Sequence, residues 1–110
     1  MSSDKVPAEL LQAVVDYFRP RRIILFGSQA RGDARGDSDY DLLVVIDDDF
    51  PREKLSGPGA TRPRGRYRGP VDIVPMRHGV FEDRATIIGT LANTAEEEGV
   101  TVYDRAQAAE

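Results

Sequence analysis

Two short segments of the chain combine residue types that could handle a nucleotide. In the first, Gly27 and Ser28 follow an apolar run; in the second, Asp39 and Asp41 stand one residue apart at the start of the next apolar run. A glycine–serine turn can hold phosphates, and two carboxylates on one face of a strand can hold a divalent cation. Phosphate and metal together suggest the transfer of a nucleotide.

The paired aspartates come directly before a predicted strand. Asp39 and Asp41 flank Tyr40 at the front of residues 42–46, which are all aliphatic. Successive side chains of a strand point to opposite faces, so both carboxylates would project from one face. The alternative interpretation is a solvated turn before a strand. A calcium loop is excluded because Leu43 stands where another oxygen ligand is needed.

A third carboxylate stands in a second short apolar run. Asp72 is the only charge in residues 71–74, which predict a mostly buried strand with one polar residue. If this strand pairs with the one at residues 40–46, Asp72 can converge on the same metal site. Alternatively, Asp72 is a turn residue or a salt-bridge partner at a strand edge.

The phosphate-binding turn would follow a further predicted strand at residues 22–26. Gly27 permits a sharp exit because it lacks a Cβ atom, and Ser28 is a favoured N-cap residue for a following helix. The free N–H groups and positive dipole of that helix N-terminus would attract phosphate. Arg31 would add donors, or it could pair with a nearby aspartate. The segment matches neither a Walker loop nor a dinucleotide fingerprint.

The spacing of these residues resembles the signature of the DNA polymerase-β-like nucleotidyltransferase superfamily: Gly27-Ser28, ten residues, then Asp39-x-Asp41. Residues 27–45 are similar to the minimal nucleotidyltransferases, and the resemblance covers roughly residues 21–75. It implies a catalytic site that binds magnesium, with two ions expected, through three aspartates: Asp39, Asp41 and Asp72. It also implies contact with the triphosphate of ATP, for which we assign Gly27, Ser28, Arg31 and Ser38.

The resemblance also implies a partner. Many minimal nucleotidyltransferases are antitoxins paired with a HEPN-domain ribonuclease toxin, and the characterised type transfers AMP from ATP to a toxin tyrosine. The expected function is therefore that of a magnesium-dependent protein adenylyltransferase. Two alternatives stay open: a non-catalytic antitoxin that neutralises its partner by contact, and a nucleotidyltransferase that acts on RNA or a small molecule.

One segment departs from the family pattern, in which a helix usually crosses to the third strand. Residues 50–70 contain four glycines and four prolines, which predicts an irregular loop with at most a turn around residues 52–55. The loop also carries arginines on both sides of Tyr67, which either contact a partner or only keep the loop soluble: Arg62, Arg64, Arg66 and Arg68.

Composition predicts one small cytoplasmic domain, residues 1–110. Of these residues, 40% are hydrophobic, which suits a modest core. The absence of cysteine excludes disulfides and favours a reducing compartment. No apolar run has the length of a membrane span, and no signal pattern is present. The net charge of −4 argues against direct nucleic-acid binding.

Periodicity predicts an α/β (α+β) fold: a small mixed sheet of about four strands, with helices packed mainly on one face. The predicted helices are residues 7–18 and 82–98, and the predicted strands are residues 22–26, 40–46, 71–75 and 100–103. Residues 1–6 and 105–110 are expected to be flexible tails. Asp47, Asp48 and Asp49 are interpreted as a solvated strand end, and His78 as a surface loop residue.

Overall fold

A computed structural model of the chain describes residues 3–31, 39–55 and 63–108, without the side chains of Ser28, Arg31 and Ala108. The helices are α1 (Ala8–Phe18), α2 (Ser28–Arg31), α3 (His78–Arg84), α4 (Leu91–Glu98) and α5 (Arg105–Ala108). The strands are β1 (Arg22–Phe26), β2 (Tyr40–Ile46), β3 (Val71–Arg77) and β4 (Val100–Asp104). Short 3-10 helices cover Ser3–Lys5 and Arg52–Leu55.

The predicted four-stranded mixed sheet is confirmed. Its strand order is β3-β2-β1-β4. β1 runs antiparallel to β2 and β4, whereas β2 runs parallel to β3. Consequently β1 ends where β2, β3 and β4 begin. We call this side of the sheet the Gly27 edge and the opposite side, where β2 ends, the Asp47 edge.

Both faces of the sheet are covered, which corrects the expectation of helices mainly on one face. On one face, α1 packs over a core of strand residues from β1, β2 and β4: Ile23, Leu25, Leu42, Val44, Ile46 and Val102. On the other, Phe81 of α3 and two alanines of α4 cover Ile24, Leu43 and Val45. The physical reason lies in β2, whose last five residues are all aliphatic and all buried, so neither face can be left to solvent.

Helix α1 follows its sequence signals closely. Leu10, Val14 and Phe18 recur every four residues and are all buried. Pro7 occupies the N-cap position, and Arg19 ends the helix in the left-handed conformation with φ of 46°.

The predicted helix at residues 82–98 is wrong, because two shorter helices, α3 and α4, replace it. Gly89 adopts a φ of +95° in the turn between them, a conformation open to glycine but strained for other residues. The Thr90 hydroxyl then caps α4 by accepting a hydrogen bond from the Asn93 amide at 3.1 Å. Ile88, which lies inside the predicted helix, is 91% exposed in this turn.

The crossover, residues 50–70, is irregular in the two parts that the structure describes. Arg52–Leu55 forms only a single 3-10 turn, and residues 63–70 form neither helix nor strand. The second part is nevertheless packed on α1: a Cβ atom at Gly65 would lie 3.1 Å from the Glu9 carbonyl oxygen and 3.3 Å from the Ala13 Cβ.

Parts of both expected tails belong to the folded body, which corrects that expectation for residues 3–6 and 105–108. Val6 is 3% exposed and joins the core beneath α1. Arg105 opens α5 and pairs with Asp47. Within the described ranges, no helix is long and apolar enough to cross a membrane.

Candidate active site

The first element of the site is a pair of carboxylates on neighbouring strands. Asp41 and Asp72 are direct partners in the parallel β2–β3 ladder, and adjacent strands lie about 4.8 Å apart. Leu43 and Val74, two residues further along each strand, pack in the same core. Since every second side chain of a strand shares a face, Asp41 and Asp72 also lie on one face, at the Gly27 edge.

Asp39 is not assembled with this pair. It lies just before β2 and is exposed. Among residues 3–31, 39–55 and 63–108, no three His, Cys, Asp or Glu side chains lie close enough together to hold a metal ion. The sequence therefore predicted the juxtaposition of Asp41 with Asp72 correctly, whereas the three-carboxylate group is absent from this conformation.

The glycine turn lies directly against the carboxylate of Asp41. Phe26, the last residue of β1, is the ladder partner of Asp41, and Gly27 follows with a φ of +76°. A Cβ atom built at Gly27 would overlap the Asp41 Oδ2 atom. Only glycine combines this backbone conformation with so close an approach. The turn and the carboxylate pair therefore form one continuous surface.

The remaining nucleotide-binding candidates are placed only in part. Ser28 is the first residue of α2 rather than the N-cap residue before it, and Arg31 is the last. This helix therefore has a single turn, in which the Ala30 amide donates to the Gly27 carbonyl at 3.1 Å. The side chains of Ser28 and Arg31, and the whole of Ser38, lie outside the described part of the structure.

Two tyrosines that the sequence analysis did not select border the Gly27 edge. Tyr40 and Tyr67 meet edge to face, with ring centroids 5.8 Å apart. Burial raises the pKa of the Tyr67 phenol, and the Tyr40 ring and the Asp39 carboxylate raise it further, whereas Arg64 opposes them. The hydroxyl therefore stays a hydrogen-bond donor at neutral pH. For Tyr67, the available signal was an aromatic residue midway between two glycines, Gly65 and Gly69.

Asp47, Asp48 and Asp49 follow the end of β2, as interpreted, and Asp48 and Asp49 are exposed, but Asp47 and Asp48 also make specific contacts. Asp47 pairs with Arg21 at 2.8 Å and with Arg105 at 3.0 Å. Asp48 accepts a hydrogen bond from the Gly79 amide at 2.8 Å, in the first turn of α3. These carboxylates join segments at the Asp47 edge, which is the opposite end of the seven-residue strand β2 from Asp41.

His78 is not a loop residue but the first residue of α3, and its Nε2 lies 3.1 Å from a Glu82 carboxylate oxygen. Of the described arginines at residues 63–68, Arg66 and Arg68 are exposed and Arg64 is half-buried. Arg68 donates to the carbonyls of Gly65 and Tyr67. Partner contact by these arginines stays a prediction, and Arg62 lies outside the described residues.

The arrangement at the Gly27 edge suits chemistry on a phosphate chain. Mg²⁺ takes oxygen ligands and typically binds one or two carboxylates together with substrate phosphates. Asp41 and Asp72 supply such carboxylates on adjacent strands, so this donor set fits magnesium with a nucleotide completing the coordination. The Gly27–Ser28 backbone lies beside it, where a phosphate chain would reach both.

Comparison with known proteins agrees with this geometry. The family model described as "Nucleotidyltransferase domain" matches residues 8–102. The chain is also similar to the "Putative protein adenylyltransferase" of Methanocaldococcus jannaschii, with 46% identity over 52 residues, which are 46% of this chain and 52% of that protein. The chain thus spans about half the length of that curated relative. Because the family model covers the fold from α1 to β4, the chain belongs to the nucleotidyltransferase domain family.

Proposed function

We propose that this protein is a magnesium-dependent adenylyltransferase that transfers AMP from ATP to a hydroxyl group of a partner protein. The observation that carries the proposal is the register of the β2–β3 ladder, which sets Asp41 against Asp72 beside the Gly27 turn. The name of the Methanocaldococcus jannaschii relative supports a protein as acceptor.

In the proposed reaction, the acceptor oxygen attacks the α-phosphorus of ATP. A new P–O bond forms to the acceptor, and the bond to pyrophosphate breaks. The Gly27 and Ser28 backbone would hold the β- and γ-phosphates in line for this attack. Asp72, which is exposed, can accept the proton of the attacking hydroxyl. The residues that would hold magnesium are Asp41 and Asp72, with Asp39 as the third carboxylate that the resemblance implies; the ion would supply positive charge to offset that of the leaving pyrophosphate.

The proposed acceptor is a tyrosine of a HEPN-domain ribonuclease, for which this protein acts as antitoxin. The resemblance of residues 27–45 to minimal nucleotidyltransferases motivates this partner.

The direct test uses Asp41→Asn and Asp72→Asn variants with ATP labelled at the α-phosphate, magnesium and a HEPN-domain protein encoded in the same genome. We expect labelling of the partner to fall by at least about 100-fold in each variant. Asp49→Asn is the matched control, since Asp49 is an exposed aspartate beyond the far end of β2. Wild-type labelling by the Asp41 and Asp72 variants would exclude these roles.

A contact-only antitoxin remains a second candidate because Asp39 is not gathered with the carboxylate pair. It makes a different prediction in the same experiment. The Asp41→Asn/Asp72→Asn double variant would then neutralise the ribonuclease as well as the wild type does, and mass spectrometry of the co-expressed partner would find no added AMP.

A further inference from the structure

The end of the crossover forms a fixed connection to the start of β2. The Pro70 carbonyl, one residue before β3, accepts a hydrogen bond from the Tyr40 amide at 3.2 Å. The same carbonyl accepts the Tyr67 hydroxyl, also at 3.2 Å. The Tyr67 ring packs edge to face on Tyr40, with centroids 5.8 Å apart. The Tyr40 amide and the Tyr67 hydroxyl therefore share one acceptor, the Pro70 carbonyl oxygen.

Two glycines allow Tyr67 to occupy this position. A Cβ atom at Gly69 would overlap the phenol hydroxyl of Tyr67, so the chain can pass this ring only because Gly69 has no side chain. Gly65, with a φ of +59°, lets the other side of the loop lie against the Glu9 carbonyl of α1. The loop is thus held against α1 on one side and against β2 on the other.

This connection lies one residue before the carboxylate pair. Tyr40 is the ladder partner of Val71, and Asp41 is the partner of Asp72. A slip of one residue in the pairing would move Asp72 to the opposite face of the sheet, because strand side chains alternate. The register at the first rung therefore decides whether the two carboxylates meet.

We propose that Tyr67 is a positioning residue that sets the register of β3 against β2 and thereby holds Asp72 opposite Asp41. It does so through its ring on Tyr40 and its hydroxyl on the Pro70 carbonyl. The importance of this register for catalysis rests on the proposed function, whereas the register itself does not. A tyrosine phenol is protonated at neutral pH, and burial raises the pKa of Tyr67 further, so the hydroxyl can donate this hydrogen bond through the physiological pH range.

Three variants of the full chain test this role in a graded way. Tyr67→Phe removes only the hydroxyl, Tyr67→Ala also removes the ring, and Gly69→Ala places a methyl group where the hydroxyl lies. Tyr17→Phe is the matched control, because the Tyr17 hydroxyl also donates to a backbone carbonyl, that of Lys54 at 2.8 Å, away from β3.

The first readout is structural and needs neither metal nor substrate. Hydrogen exchange at the Tyr40 amide, followed by NMR, reports its bond to the Pro70 carbonyl. We expect at least about tenfold faster exchange in Tyr67→Ala and Gly69→Ala, a smaller increase in Tyr67→Phe and none in Tyr17→Phe. Far-UV circular dichroism identifies any variant that fails to fold, and Tyr67→Phe, the mildest change, then decides the outcome.

The second readout is Mn²⁺ binding in the presence of a non-hydrolysable ATP analogue, measured by electron paramagnetic resonance. Supporting residues of metal ligands typically change affinity by about 10- to 100-fold, so we expect about tenfold weaker binding in Tyr67→Ala and wild-type binding in Tyr17→Phe. Unchanged exchange at Tyr40 in the folded Tyr67 and Gly69 variants would overturn the proposal. If the wild type binds no Mn²⁺, the proposed function is wrong. The role of Tyr67 is then tested by the hydrogen-exchange measurement alone.

Discussion

At the scale of single residues, the closest approach in the site is that of Gly27 to the carboxylate of Asp41. The positive φ of Gly27 explains why glycine follows β1, and the position of the Asp41 Oδ2 atom explains why no side chain fits there. These two demands are separate, since one concerns the backbone and the other concerns the space beside it. A pair of substitutions can distinguish them.

Gly27→Ala should impair nucleotide transfer far more than Gly89→Ala does. Both glycines have positive φ values, +76° and +95°, so alanine at either position costs roughly 1–2 kcal/mol of backbone strain. A Cβ atom at Gly89 meets nothing within 4 Å, whereas one at Gly27 displaces the Asp41 carboxylate.

We therefore expect similar losses of unfolding free energy in the two glycine variants but at least about a tenfold larger loss of transfer rate in Gly27→Ala. Chemical denaturation measures the free energy of unfolding, and labelling with ATP measures the transfer rate. Equal transfer rates in the two variants would show that the space beside Asp41 does not matter.

Asp47 gives a prediction about acid stability. Its hydrogen bond from Arg105 lowers its pKa; partial burial acts in the opposite direction, and Arg21 lowers the pKa further. Because the folded state holds this proton less tightly than the unfolded state does, the pair stabilises the fold above the ordinary aspartate pKa of about 4. That stabilisation is lost as the pH falls through the lower, folded pKa.

Asp47→Asn should therefore be less stable than the wild type at pH 7, and the difference should vanish in strong acid. The Asp47 side chain is 34% exposed, so solvent screening limits the expected loss to about 1 kcal/mol. Thermal unfolding between pH 2 and pH 7 measures it, with the exposed Asp49→Asn variant as control. A difference that persists unchanged at pH 2 would contradict the ion-pair explanation.

At the scale of elements, the turn between α3 and α4 shows how local polar groups override a periodic pattern. The Thr90 hydroxyl accepts the Asn93 amide and lies within hydrogen-bond distance of two carbonyls, those of Arg84 at 2.8 Å and Ile87 at 2.9 Å. Asn93 in turn donates to the Ala85 carbonyl at 2.7 Å. The Thr90 and Asn93 side chains therefore form hydrogen bonds with backbone groups that the end of α3 and the start of α4 leave unpaired.

Thr90→Ala should lower the free energy of unfolding by about 1 kcal/mol, the usual cost of a lost N-cap, and should leave nucleotide transfer unchanged. Thr86→Ala, in the same turn but outside the cap, should be close to neutral. Urea denaturation compares the two. A wild-type midpoint for Thr90→Ala would mean that the cap contributes nothing.

The strands were predictable because their signal is local, whereas the ties between elements were not. The aliphatic run at residues 42–46 predicts a buried strand. The bounds predicted for that strand, residues 40–46, are confirmed. Asp47 and Arg105 are 58 positions apart, so no short pattern could join them. In the site, the spacing of Asp39 and Asp41 matched a known signature, but the position of Tyr67 depends on a loop that carries no periodicity.

At the scale of the whole molecule, the two edges of the sheet have different roles. The Gly27 edge gathers the carboxylate pair and the glycine turn, whereas the Asp47 edge gathers ion pairs and hydrogen bonds between distant segments. Arg77, for example, donates to the carbonyls of Asp48 and Phe50 there. Substitutions at the two edges should therefore act independently, since effects at well-separated sites usually add.

The parallel pairing of β2 with β3 also dictates when the carboxylate pair comes into existence during synthesis. Asp41 and Asp72 belong to strands that residues 47–70 separate in the sequence, and they meet only after β3 has paired with β2. A nascent chain that still has β3 inside the ribosome holds one half of the pair and not the other. Any reaction that needs both carboxylates can therefore begin only after β3 has paired with β2.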